Sequence, residues 1–138
     1  MSLFTEIDQL AVAVRDLDQA VAWHVEVFGM EVVHRERVEA DGVEEALLRV
    51  AESYLQLLTP TRPDSTVARF LDRRGEGLHH VAYRVADIDA TLAALNDEGV
   101  ELIDKHARVG IRRSRVAFLH PRATGGVLTE LVEPAPDH

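Results

Sequence analysis

Four polar residues interrupt apolar runs in this chain. They are Gln9 in IDQLAVAV, Gln56 in YLQLLTP, His80 in LHHVAYRV and Glu130 in LTELVEP. Side chains on a strand alternate between faces, so a polar residue between apolar ones can face a solvated cavity while its neighbours face a core. The four together offer one imidazole nitrogen, one carboxylate and two amide oxygens. That donor set suits a six-coordinate divalent cation with positions left for water or substrate. Plainer readings stand beside this one: Gln9 as an edge-strand polar residue, and His80 as a satisfied core or surface histidine. An unpaired polar group in an apolar strand is costly, which favours a site role for Gln56 and Glu130. A second feature is the stretch 105–122, which has no Asp or Glu but contains Arg108, Arg112, Arg113, Arg115 and Arg122. Grouped arginines suit a polyanionic ligand, and equally a solvated face or a contact between copies of the chain.

The elements carrying these residues repeat. IDQLAVAVRDLD, starting at Ile7, returns as LHHVAYRVADID, starting at Leu78. Each copy is a strand-like run that stops at an Asp suited to cap a helix, Asp16 or Asp87. Helical spacing then predicts one buried stripe from Leu17, Val21, His24 and Phe28, and another from Ile88, Leu92 and Leu95. Each helix stops at a glycine, Gly29 or Gly99, before a further strand-like stretch at 30–33 or 100–103. The closing strands match too, as YLQLLTP and LTELVEP. The fold class expected is α+β: two tandem βαβββ modules, about 5–60 and 77–134, forming a curved mixed sheet around a central metal site. They are joined by a short helical connector with Asp64 or Ser65 as cap, and the whole of 1–138 reads as one domain. A pseudo-twofold relation between the modules sets Gln9 against His80 and Gln56 against Glu130.

Composition narrows the classes of function. The chain has 138 residues, 46% hydrophobic and 28% charged, as in an ordinary globular protein. Fifteen Lys+Arg against 24 Asp+Glu give a formal charge of -9 and a pI near 5.2. A field of that sign disfavours nucleic acid and anionic membrane as partners. Without cysteine there is no disulfide, Fe–S cluster or thiolate zinc site. No apolar run reaches the ~20 residues of a membrane span, and MSLFTEIDQL does not read as a secretory signal. A cytoplasmic protein is expected.

The stretches GVEEALL (42–48), YLQLLTPTRPDSTVARFL (54–71), GLHHVAYRVADIDA (77–90) and FLHP followed by GGVLTEL carry a resemblance. The chain resembles the vicinal-oxygen-chelate superfamily and, within it, the methylmalonyl-CoA epimerases along nearly its whole length. That resemblance implies a divalent metal held by Gln9, Gln56, His80 and Glu130, the set the repeat also brings together. It further implies a functional carboxylate at Glu45, a homodimer, and a reaction at the α-carbon of a malonyl-type thioester. By the residues alone, Glu45 reads as a solvated strand residue. The family usually has histidine where this chain has Gln9, in a run like IDH. An amide oxygen is a harder, weaker donor, so the expected ion is cobalt, manganese or magnesium ahead of zinc.

The function expected is metal-dependent epimerisation of methylmalonyl-CoA through an enolate, with Glu45 and Glu130 as the acid/base pair. A divalent ion offsets enolate charge as a Lewis acid, and inversion needs a proton removed on one face and delivered on the other. A carboxylate shielded from water is better matched to a weakly acidic carbon. Strand alternation sends Glu44 away from Glu45. Arg112, Arg113 and Arg115 are the expected contacts to the CoA phosphates. Competing readings are a glyoxalase-type isomerase or dioxygenase of the same superfamily, or a small-molecule binding protein. A dioxygenase usually wants two histidines and a carboxylate, and a glyoxalase would not need Glu45 and the arginines together. His24 and His79 are expected to be structural, and His120 to belong to a turn.

Overall fold

The computed structural model describes residues 2–136. It has eight strands and three longer helices: β1 (Glu6–Ala13), α1 (Leu17–Phe28), β2 (Val32–Val38), β3 (Val43–Val50), β4 (Ser53–Pro60), α2 (Thr66–Arg74), β5 (Gly77–Arg84), α3 (Ile88–Asp97), β6 (Arg108–Val109), β7 (Arg115–Leu119) and β8 (Thr129–Glu133). The class is α+β. The chain divides into two compact units, one of residues 9–79 and the other of the described residues in 1–8 and 80–138.

In the unit of residues 9–79 the strand order is β2-β3-β4-β1, with β1 parallel to β4 and β3 antiparallel to both neighbours. The Asp16 carboxylate accepts from Gln19 N to start α1, and Gly29 ends it in the left-handed conformation, φ 67°. Leu17, Ala20 and Val21 pack on Val12, Ala46, Leu48 and Leu57. Residues of opposite parity (Ala11, Ala13, Val43 and Leu58) meet Val67 and Leu71 of α2, whose N-cap is Ser65, accepting from Ala68 N. The sheet is thus covered by α1 on one face and in part by α2 on the other.

The stripe expected on α1 is only half right. Val21 packs, but Phe28 is 62% exposed and Trp23 49%. Spacing puts His24 and Phe28 on the same side of the helix as Leu17, yet their rings contact each other and Trp23 edge-on at 4.8–5.7 Å. His24 Nδ1 is spent on Ala20 O at 2.8 Å.

The second unit repeats the plan, with order β5-β8-β7-β6, β5 parallel to β8, and the remaining pairs antiparallel. Asp87 caps α3 through Ala90 N. Ile88 and Leu92 pack on Ala117, Leu119 and Leu131, while Ala82, Val116 and Val132 form a separate cluster of opposite parity. The strand expected at 100–103 is reduced to one bridge, Leu102 to Leu119. The Asp104 carboxylate takes the Phe118 N–H at 2.8 Å, the donor a continuing strand would have used. Pairing with β7 resumes only at Arg108.

Candidate active site

The two parallel strand pairs place their polar residues by the same rule. Gln56 stands opposite Ala11, two residues beyond Gln9. Glu130 stands opposite Ala82, two residues beyond His80. In each unit the polar pair shares the face turned away from the module's own helix, α1 or α3. All four side chains are buried.

In the unit of residues 9–79, Gln9 Nε2 donates to Gln56 Oε1 at 2.7 Å, and Gln56 Nε2 points to Glu45 Oε2 at 3.4 Å. Glu45 is 0% exposed. β3 brings it there by alternation, since Val43, Glu45 and Leu47 share one face. Glu44 faces the other way and accepts from Arg35 Nε at 3.0 Å. A solvated strand residue is therefore the wrong description of Glu45. His34 and Glu36 on β2 join it: His34 Nε2 lies 2.8 Å from Glu36 Oε1 and 4.0 Å from Glu45 Oε1. One ligating atom from each of the three lies within 4.8 Å of the others. Sequence reasoning missed this pair. The signal was His and Glu two apart on a strand, which is one face, but β2 reads as a charged edge until its register with β3 is known.

In the second unit His80 Nε2 and Glu130 Oε1 stand 3.8 Å apart, both buried. The imidazole sits edge-on to Phe118 at 5.4 Å, and Phe118 is directly opposite Glu130. The 3.8 Å spacing exceeds hydrogen-bond reach but suits two ligands of one ion. Donors each about 2.1 Å from a metal are about 3 Å apart at right angles and about 4.2 Å apart when opposite. An amide oxygen has two lone pairs, so Gln56 Oε1 can accept from Gln9 and still serve a cation. Taken unit by unit, these are oxygen and imidazole donors of the kind a hard or borderline divalent ion takes.

His79 points away from this face, packing edge-on to Phe70 at 5.0 Å, and burial holds its imidazole below the ordinary value. His120 caps the turn Pro121–Thr124 by accepting from Arg122 N. The arginine stretch is acid-free only in sequence. Arg115 is clasped by both oxygens of Asp89 at 2.8 and 2.9 Å, Arg122 donates to Glu101, and Arg108 lies 3.6 Å from Asp104. Arg112 and Arg113 occupy a tight turn with left-handed backbone, φ 54° and 60°. Non-glycine residues hold that conformation at a cost of roughly 1–2 kcal/mol each. The turn is closed by Gly110 N to Ser114 O at 2.8 Å.

Residues 8–118 match the Glyoxalase/Bleomycin resistance protein/Dioxygenase superfamily. The structure is similar to the methylmalonyl-CoA epimerase of Mycobacterium tuberculosis, with a TM-score of 0.95 and 45% identity over 99% of this chain and 93% of that one. It is also similar to a methylmalonyl-CoA epimerase in complex with methylmalonyl-CoA and NH4+, with a TM-score of 0.92 and 45% identity over 96% of both chains. The mitochondrial methylmalonyl-CoA epimerase of Bos taurus is 33% identical over 91% of this chain and 72% of its own length. The chain belongs to the glyoxalase/bleomycin resistance/dioxygenase superfamily and, within it, to the methylmalonyl-CoA epimerase family of isomerases.

Proposed function

We propose that this enzyme interconverts the two configurations of methylmalonyl-CoA at C2, with Glu45 as one acid/base group and Glu130 as the other. The observation that carries the reading is Glu45: a carboxylate sealed from solvent on a strand, held by Gln56, which is itself bonded to Gln9. A buried carboxylate with one oxygen fixed by an amide costs stability, and a proton-abstracting role accounts for its retention. Glu45 removes the α-proton, the C–H electron pair passes to the thioester oxygen, and a proton returns to the opposite face from Glu130. The reverse direction exchanges the two roles.

Gln9, Gln56, His80 and Glu130 are proposed to hold a divalent ion, with cobalt, manganese or magnesium preferred over zinc. When bound, such an ion supplies positive charge to the developing enolate. Arg112 and Arg113 are proposed to meet the phosphates of the acyl carrier, since strained backbone in a loop is a mark of functional positioning. Arg115 belongs to the same proposal as a secondary contact, being already clasped by Asp89. A homodimer in the cytoplasm completes the reading, and sedimentation at equilibrium checks its stoichiometry. Among the described residues no helix is long and apolar enough to cross a membrane.

The deciding experiment follows solvent deuterium into C2 of methylmalonyl-CoA, using protein stripped of metal and resupplied with cobalt, manganese, magnesium or zinc. Metal-dependent uptake supports enolisation at this site. Absence of uptake with every ion overturns it.

A further inference from the structure

We propose that His34, assisted by Glu36, is the route by which the sealed Glu45 carboxyl exchanges its proton with solvent. The inference rests on Glu45 acting as a base in the epimerisation. Inversion by two groups leaves the enzyme changed: Glu45 ends the turnover holding the substrate's proton, and the opposing acid ends it without one. Before the same configuration of substrate can react again, Glu45 must release that proton. Its carboxyl is 0% exposed, so water cannot collect it directly.

Gln56 and His34 each bring a side-chain nitrogen near the carboxylate. Gln56 Nε2, at 3.4 Å, is an amide nitrogen that donates but takes no proton. His34 Nε2, at 4.0 Å from Glu45 Oε1, takes one when the ring is neutral with its hydrogen on Nδ1, which leaves Nε2 a lone pair. A movement of about 1 Å closes that gap to hydrogen-bond distance. The Glu45 O–H bond then breaks as an N–H bond forms at His34, leaving a carboxylate and an imidazolium. The ring then swings back to Glu36, whose Oε1 lies 2.8 Å from the same Nε2; that N–H bond breaks as the Glu36 O–H bond forms, and neutral imidazole is restored. Solvent completes the path, because the side chains of His34 and Glu36 are 29% and 35% exposed.

On the β2–β3 ladder this arrangement departs from the pairing that favours stability. Glu36 and Glu45 are directly opposite each other, and like charges in that relation destabilise a strand pair. On the other face the same ladder follows the usual rule, setting Arg37 opposite Glu44 and bonding Arg35 to Glu44. Two carboxyl groups thus share one face of the ladder, Glu45 sealed and Glu36 part-exposed, with an imidazole near both.

The test compares the first turnover, with enzyme in excess over methylmalonyl-CoA, with steady-state turnover in a weakly buffering medium. In His34→Ala the first turnover stays within about twofold of wild type, while steady-state kcat falls roughly tenfold or more. Added imidazole restores kcat in a saturable way. Glu36→Gln gives a milder form of the same split. An equal fall in both measurements without imidazole rescue overturns the proposal, because it marks a packing role. So does a steady-state rate that does not change. Loss of a stoichiometric metal from His34→Ala also overturns it, since a ligating nitrogen has no lone pair for a proton. Glu45→Gln separates the two layers: if it keeps its first turnover, the base assignment itself fails, whatever His34 does.

Discussion

Gln9 and Gln56 are joined by a 2.7 Å hydrogen bond between buried amides on adjacent parallel strands. An amide at position 9 does two jobs that an imidazole divides differently. It donates to Gln56 and offers a carbonyl oxygen, where histidine offers a softer nitrogen. Gln9→His is therefore expected to raise affinity for zinc and cobalt by roughly tenfold, about 1.4 kcal/mol, and for magnesium much less. Competition against a chromogenic chelator reads this directly. Equal affinity in variant and parent would remove Gln9 from the ligand set.

Glu45→Gln keeps the shape of the side chain and gives Gln56 Nε2 an amide oxygen to approach in place of the carboxylate. Folding is expected to change by less than about 1 kcal/mol, because a buried charge is lost as well as a hydrogen-bond acceptor. Deuterium exchange at C2 is expected to fall by about 10²–10⁴, the range for loss of a general base. A variant that melts like its parent yet exchanges normally would show that Glu45 is structural.

What the sequence made legible was local or symmetric. Asp16 and Asp87 announce their helices because a short carboxylate before an apolar stripe has one common use, and both cap as expected. Gln9, Gln56, His80 and Glu130 stand out as polar interruptions that recur at matching places. What remained hidden depends on partners far along the chain. Glu45 looks solvated until β2 and β4 are known to flank it, and His34 means little until its register beside Glu45 is fixed. The arginine stretch looks uncompensated until Asp89, on α3, reaches Arg115. Periodicity put Phe28 on a buried stripe, but it carries no information about where the sheet beneath the helix ends.

Arg112 and Arg113 are expected to act on the carrier and not on the acyl group. Replacing both with serine should raise KM for methylmalonyl-CoA about tenfold, the ~1.4 kcal/mol reasonable for two partly solvated charge contacts. KM for methylmalonyl-pantetheine, which lacks the nucleotide phosphates, should not move. The wild-type KM for the CoA ester should also rise with salt more than that of the double variant. Equal effects on both thioesters would make the turn a scaffold and not an anion contact.

Acid stability has a definite sign. Hydrogen bonding to Arg115 holds the Asp89 carboxyl below its ordinary value of 3.8, and Arg122 does the same for Glu101, ordinarily 4.5. A carboxyl lowered in the folded state binds fewer protons there than in the unfolded chain. The stability it adds is therefore present above the ordinary value and is lost as pH falls through the lowered one. Asp89→Asn with Glu101→Gln should lose less stability than the parent on going from about pH 5 to pH 3 in urea titrations. An unchanged acid limb would mean that other carboxylates govern it. Both pairs are solvent-facing, so the effect at neutral pH should be small.

Gly42 ends the turn Glu39–Asp41 at φ 66°, immediately before the strand that carries Glu45. A Cβ there would come 2.9 Å from the Arg62 guanidinium, which donates to Glu39 O at 2.6 Å and to Ala40 O at 3.1 Å and so clamps the turn. Gly42→Ala thus combines a left-handed backbone penalty with displacement of that clamp, and the loss expected is about 1–3 kcal/mol. The two contributions separate in a double-mutant cycle. In an Arg62→Ala background the clash is gone and only the backbone term remains, so Gly42→Ala should cost less there than in the parent. Strictly additive melting losses would mean that the clash is relieved without cost by the flexible arginine. In either case the fall in activity per folded molecule should be far smaller than for Glu45→Gln, because the turn supports β3 without touching the carboxylate.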